Sequence, residues 1–153
     1  NNMAYEKDLR AMETYKEGII QAARNNNLEP SLIAGIASRE SNGGRALDKD
    51  GLGDHGNGFG IMQVDKRHHT PIGGPYSNEH INQGATILRN SINAVEKKFP
   101  TWSPDLQLRG GVAAYNFGVS NVRTPDGIDR GTTGNNYSAD VIKRAEYFKQ
   151  NGY

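Results

Sequence analysis

With 153 residues, 18 basic against 17 acidic side chains and a formal charge of +1, the chain has neither the basic excess of a nucleic-acid groove nor a polybasic membrane patch. No stretch approaches the ~18 apolar residues of a spanning helix, and the opening NNMAYEKDLR has no signal-peptide core. At this size roughly 70% of the unfolded surface can be buried without a disulfide or a metal, so the lack of cysteine leaves the compartment open, and residues 1–153 read as one domain.

Between 5 and 27, Ala11, Met12, Tyr15, Ile19, Ala22 and Ala23 recur at helical spacing opposite Glu6, Lys7, Arg10, Glu13, Lys16 and Glu17. This predicts one amphipathic surface helix, ended by Asn25, Asn26 and Asn27. Pro30 then opens a second helix at its first position, and the LIAGIAS run at 32–38 makes that helix apolar on nearly all sides, so it should be buried. Ser41, Asn42, Gly43 and Gly44 stop it. Glu40 falls in the last turn, near the negative end of the helix dipole and beside an apolar core. Both effects favour the protonated carboxyl that a general acid needs. The bland alternative is that Glu40 only marks where the helix reaches water.

The segment GLGDHGNGFGIMQVD at 51–65 carries five glycines in its first ten residues, too many for a helix and suited to tight turns between short strands. It predicts a small β-hairpin whose two limbs carry Asp54 and Asp65 across a cleft from Glu40. One protonated carboxyl facing ionised ones is the arrangement of an inverting glycosidase, with Gln63 beside Met62 offering amide and apolar contacts to a sugar. An ordinary turn aspartate remains the alternative for Asp54. Residues 66–76 form a loop at the cleft rim. His55, Asp65, His68 and His69 superficially suggest a metal site, but without HExxH spacing or a thiolate no metal is expected.

Ser77 caps a long helix with Glu79 in its first turn, carrying Ile81, Ala85, Leu88, Ile92, Val95 and Phe99 inward until Pro100. Ser103 and Pro104 start another, through Leu106, Val112 and Ala113 to Tyr115, where Asn116, Phe117 and Gly118 break it. Tyr115 and Asn116 at its end are well placed to line a cleft, although a buried tyrosine seeking a hydrogen-bond partner is the alternative. Residues 119–136 are mostly loop, and 136–150 close the chain as a helix with Val141, Ile142, Ala145 and Phe148 inward.

Several separated motifs now stand in order: Ser38-Arg39-Glu40-Ser41, Gly53-Asp54, Gly56-Asn57-Gly58-Phe59-Gly60, Met62-Gln63-Val64-Asp65-Lys66-Arg67 and Ala114-Tyr115-Asn116. Together, from about Tyr15 to Tyr153, they resemble goose-type lysozyme. The resemblance implies a mainly α (α+β) lysozyme-like domain of six or seven helices with a small β-hairpin lining the cleft. It also implies hydrolysis, with inversion, of the β-1,4 bond between N-acetylmuramic acid and N-acetylglucosamine in bacterial peptidoglycan. By motif position Glu40 is the acid, and Asp54 and Asp65 hold and activate the water. His69, Tyr115, Asn116 and Tyr137 meet the substrate, with Tyr115, Asn116 and Tyr137 close to Glu40. No cofactor, nucleic acid or membrane partner is implied, a monomer acting outside the cell is expected, and the antibacterial role follows. The chain differs from avian relatives in lacking cysteine, and from a frequent aromatic residue before Gly53-Asp54 in having Leu52.

Lytic transglycosylases share the Glu-Ser, Met-Gln and Ala-Tyr-Asn elements. They close a 1,6-anhydro ring with the muramic acid's own hydroxyl and need only the glutamate, so Asp54 and Asp65 favour hydrolysis. A wall-binding protein with a decayed site is disfavoured because all three acids are present.

Overall fold

The computed structural model describes residues 2–153 and is built from six α-helices and three very short strands: α1 (Asn2–Met12), α2 (Lys16–Asn25), α3 (Pro30–Ser41), β1 (Leu52–Gly53), β2 (Gly58–Phe59), β3 (Val64–Asp65), α4 (Asn78–Lys98), α5 (Pro104–Phe117) and α6 (Tyr137–Lys149). The mainly α class with a small antiparallel sheet is the one the sequence predicts. α3 is the centre. Ser31 through Ser38 are all buried, as an apolar perimeter requires, and the helix packs on α6, α2 and α1.

Gly35 is the reason α3 and α6 lie so close. An ideal Cβ there would stand 2.8 Å from the backbone oxygen of Val141 and 3.2 Å from the Ala145 side chain. The second major pairing is α4 with α5, where a Cβ on Gly111 would come 2.6 Å from the Cα of Ile92. The main core collects Met12, Ile19, Ile33, Ile36, Leu88, Tyr137 and Phe148, and a smaller one under the ends of α4 and α5 collects Val95, Ala113, Val122 and Ile128. Each wholly buried aliphatic of this kind is worth ~2–5 kcal/mol against truncation to alanine.

The caps agree with the residues. The hydroxyls of Ser77 and Ser103 accept from the N–H groups of His80 (3.1 Å) and Leu106 (3.3 Å). α3 ends on Asn42 in the left-handed region at φ +53°, a conformation asparagine tolerates.

Two expectations are corrected. The single helix predicted over 5–27 is divided by a 3₁₀ turn at Glu13–Tyr15. Thr14 and Tyr15 are weak helix formers, and Tyr15 stacks on Tyr76 at 5.9 Å, a contact outside the helix's own pattern. The predicted hairpin at 51–65 is the first part of a three-stranded sheet in the order β1-β2-β3. A second tight turn at 60–63, with Gly60 at φ +77° and Gln63 at +52°, returns the chain and pairs Gly58 with Asp65. Asp65 therefore lies on one outer strand and Asp54 directly after the other, with β2 between them. The predicted loops at 66–76 and 119–136 hold no α-helix or strand, and the latter contains two single 3₁₀ turns.

Candidate active site

A groove of about 930 Å³ runs between the sheet, the loop after it and the exposed faces of α4 and α5. Glu40, Asp54, Gln63, Asp65, His69, Tyr115 and Asn116 all line it. Glu40 enters from the last turn of α3, half-buried. Its Oε2 accepts a 2.6 Å hydrogen bond from the hydroxyl of Tyr137, the first residue of α6 and itself buried. Burial pushes the Glu40 carboxyl up to about 7. The Tyr137 hydrogen bond and the Arg39 charge pull it down by less, and the Asp54 charge adds to the rise. Tyr115 and Tyr137 are raised well above an ordinary phenol by burial and then by the Glu40 charge, so both act as neutral donors.

Asp65 is the electrostatic opposite. The Arg67 guanidinium grips it through Nη2 to Oδ2 (2.8 Å) and Nε to Oδ1 (3.0 Å), and the Arg67 N–H adds a bond of 2.9 Å. That grip holds the carboxyl down at about 2, so it is ionised at any working pH. Arg67 Nη2 also stands 3.9 Å from Asp54 Oδ2 and so bridges the two aspartates. Asp54 and His55 are both left-handed, at φ +52° and +55°. Two consecutive side-chain-bearing residues in that region represent strain of the sort retained where a site needs it.

The sheet is fastened to the helices at Ile61 and Met62. Ser41 Oγ donates to the Ile61 carbonyl (2.7 Å), and the Met62 N–H donates to Nε2 of wholly buried His80 (3.0 Å). Burial drives His80 down to about 4 and keeps it neutral, as the acceptor role demands. The hydroxyl of Tyr115, expected on Glu40, donates instead to the Met62 carbonyl (2.7 Å). Gln63 gives its amide nitrogen to the Gly60 carbonyl (2.9 Å) and lies over Gly53 and Gly58, where a Cβ would collide with it. It therefore shapes the wall as well as lining it. Asn116 is joined to Thr133, accepting its N–H and donating to its hydroxyl, both at 3.1 Å. His68 and His69 are exposed on the rim. Among the described residues no group of three His, Cys, Asp or Glu is placed to hold a metal ion, and no helix is long and apolar enough to cross a membrane.

Sequence reasoning assigned no part to Arg67, to Thr133 or to Asn90 and Ser91, which line the groove from α4. Arg67 had a signal, its place two residues from Asp65. The others are brought in only by tertiary packing.

A protonatable carboxyl at about 7 stands in the same groove as a carboxylate at about 2, so the groove can offer a proton and an ionised carboxylate to one bond, the chemistry that glycoside hydrolysis draws on. The family profile described as Lysozyme g matches residues 1–152. The chain is 50% identical over 153 residues to "Lysozyme G" of Dromaius novaehollandiae, covering all of this chain and 74% of that one. It is 52% identical to "Lysozyme g" of Casuarius casuarius over 97% of this chain and 80% of the relative, and 45% identical to that of Cyprinus carpio over the same shares. The chain belongs to the lysozyme g family.

Proposed function

We propose that this lysozyme cleaves the β-1,4 bond between N-acetylmuramic acid and N-acetylglucosamine in bacterial peptidoglycan by single displacement, with Glu40 as acid and Asp65 with Asp54 positioning the water. The observation that carries this reading is the contrast between Glu40, kept protonatable near 7 at the end of a buried helix, and Asp65, kept ionised by Arg67. The glycosidic oxygen takes the Glu40 proton as its bond to the anomeric carbon breaks. The water oxygen bonds to that carbon from the opposite face and gives its proton to the aspartate side, so the configuration inverts. Gln63, His69, Tyr115 and Asn116 flank the sugar path, and Tyr137 orients the acid. Asp54 and Asp65 are the features that favour water over the internal hydroxyl used by a transglycosylase, and over binding without turnover. The expected setting is outside the cell, with the wall polymer as the partner and the chain acting as a monomer.

Product analysis tests the reading. Digestion of purified cell wall, followed by NMR and mass spectrometry, should show reducing ends that begin as the α anomer. Initial β product, or 1,6-anhydro ends, would reject the mechanism. Either aspartate can hold the water when the other is missing, so Asp54→Asn and Asp65→Asn should be milder singly than together, and their effects should not add.

A further inference from the structure

Behind Glu40 a line of buried polar groups crosses three helices. Asp8 on α1 is wholly buried. Its Oδ1 accepts from Arg45 Nη2 (2.7 Å) and its Oδ2 from Ser38 Oγ (2.6 Å), with Arg144 Nη1 3.5 Å away. Arg144 on α6 donates to Ser38 Oγ (2.8 Å) and, through Nε, to Asp140 Oδ2 (2.8 Å). The same Asp140 oxygen accepts from Arg39 Nη1 (2.8 Å). Arg39 and Asp140 expose only 16% and 18% of their side chains, so water screens this pair weakly.

Arg39 has three further contacts, all toward the site. Its Nη2 donates to the Thr133 carbonyl (2.9 Å) and to Asn136 Oδ1 (3.2 Å), and its guanidinium stands 5.1 Å from the centre of the Tyr137 ring. Tyr137 is the residue on Glu40, and Thr133 is the residue on Asn116. One side chain thus holds both groups that support the acid and the helix end facing it. A largely buried ion pair contributes little stability compared with an apolar replacement, whereas its directional bonds fix position.

We propose that Arg39, clamped by Asp140, is a positioning residue for the reaction: it holds the Tyr137 ring and the Thr133 carbonyl so that the Tyr137 hydroxyl stays on Glu40 and Thr133 stays on Asn116. This rests on the reading of Glu40 as the acid. The groups facing Glu40 are Arg39 on its own helix, Tyr137 from α6, Tyr115 from α5 and Asp54 from the turn between β1 and β2. Of these, Arg39 is the cation and Tyr137 the hydrogen-bond donor, and both hold the Glu40 carboxyl down. Removing Arg39 takes away the charge and loosens the donor, so both changes raise the Glu40 titration.

The test uses Arg39→Gln and Asp140→Asn, the second being an isosteric change that leaves Arg39 in place but unclamped. Turnover on soluble peptidoglycan fragments should fall about tenfold or more in kcat in both variants, with KM within about threefold of the parent. The Glu40 carboxyl, followed by carbon NMR, should titrate about one pH unit higher in Arg39→Gln. Should Arg39→Gln fail to fold, the kcat of Asp140→Asn decides alone. A kcat within twofold of the parent in the folded variants, or an unmoved Glu40 titration in Arg39→Gln, would overturn the proposal. Glu40→Gln, assayed in parallel, separates the two readings: near-normal turnover there removes the acid assignment, whereas an inactive Glu40→Gln beside an unaffected Arg39→Gln removes only the positioning role.

Discussion

The hydroxyl of Tyr137 lies 2.6 Å from Oε2 of Glu40, joining the first turn of the last helix to a carboxyl 97 residues earlier in the chain. This bond pulls the Glu40 carboxyl down against the burial that lifts it to about 7. Tyr137→Phe keeps the ring under Arg39 and deletes only the donor. The alkaline limb of its kcat profile should move upward from the parent's, and kcat should fall by ~10-fold through lost orientation of the acid. A limb that stays in place, measured on purified cell wall, would show that the bond does not tune the acid.

Glu40 also bears on stability. Its carboxyl stands at 4.5 in the unfolded chain and about 7 in the folded one. The folded state thus resists ionisation that the unfolded state accepts. The penalty is absent below 4.5, grows as pH rises and is complete above about 7. Glu40→Gln should therefore lose at least ~10²-fold in turnover and gain about 2 kcal/mol of stability at pH 8, a figure reduced for the carboxyl's partial opening to the groove. At that size Tm rises by about 4–8 °C. Calorimetry at pH 4 and pH 8 checks the sign, since no gain is expected at pH 4.

Arg67→Ala releases Asp65. Without the guanidinium its carboxyl rises from about 2 toward the ordinary aspartate value of about 3.9. The acid limb of kcat/KM should follow, leaving turnover at neutral pH less affected than turnover at pH 3, where the drop should reach ~10-fold. Profiles of parent and variant that coincide below pH 4 would show that turnover does not depend on Asp65 being ionised.

Gly35→Ala sets two effects against each other. Helix propensity favours alanine by about 1 kcal/mol, but the added methyl meets the Val141 carbonyl at 2.8 Å, which is backbone and cannot swing away. Overpacking of ~1–3 kcal/mol wins, so the variant should melt lower than the parent. Because the same displacement moves α6 and Tyr137 away from α3 and Glu40, kcat should fall with it. Thermal unfolding and turnover on one preparation check both.

Much of the architecture could be read from local chemistry. The three- and four-residue spacing along α4, the serine caps before α4 and α5, and the apolar perimeter of α3 each state their element within one segment. The glycine-rich stretch announced turns but not its third strand, because strands of two residues are too short to show alternation. Glu40 was legible as a helix-end carboxyl beside a core. Tyr137 was not, since its partner is remote in sequence and its place near the acid came from resemblance. The Arg39–Asp140 pair spans 101 residues, and Asp8, wholly buried, sits on a helix whose other charged residues face water. No spacing rule reaches such pairs. His80 stands in the first turn of α4 with no local feature to mark it, and its role as acceptor for the Met62 N–H exists only once α4 meets the sheet.

The sheet is secured at Ile61 and Met62 by Ser41, His80 and Tyr115 rather than along its two-residue strands. A panel bolted at one corner is an interchangeable part. Residues 55–57 of the turn between β1 and β2 can change composition without touching those bolts, reshaping the groove wall while Glu40 on α3 stays where it is. Substitutions in residues 55–57 leave those bolts and the Asp54 carboxylate in place, whereas substitutions at Ser41, His80 or Tyr115 are the ones that would shift the whole panel at once.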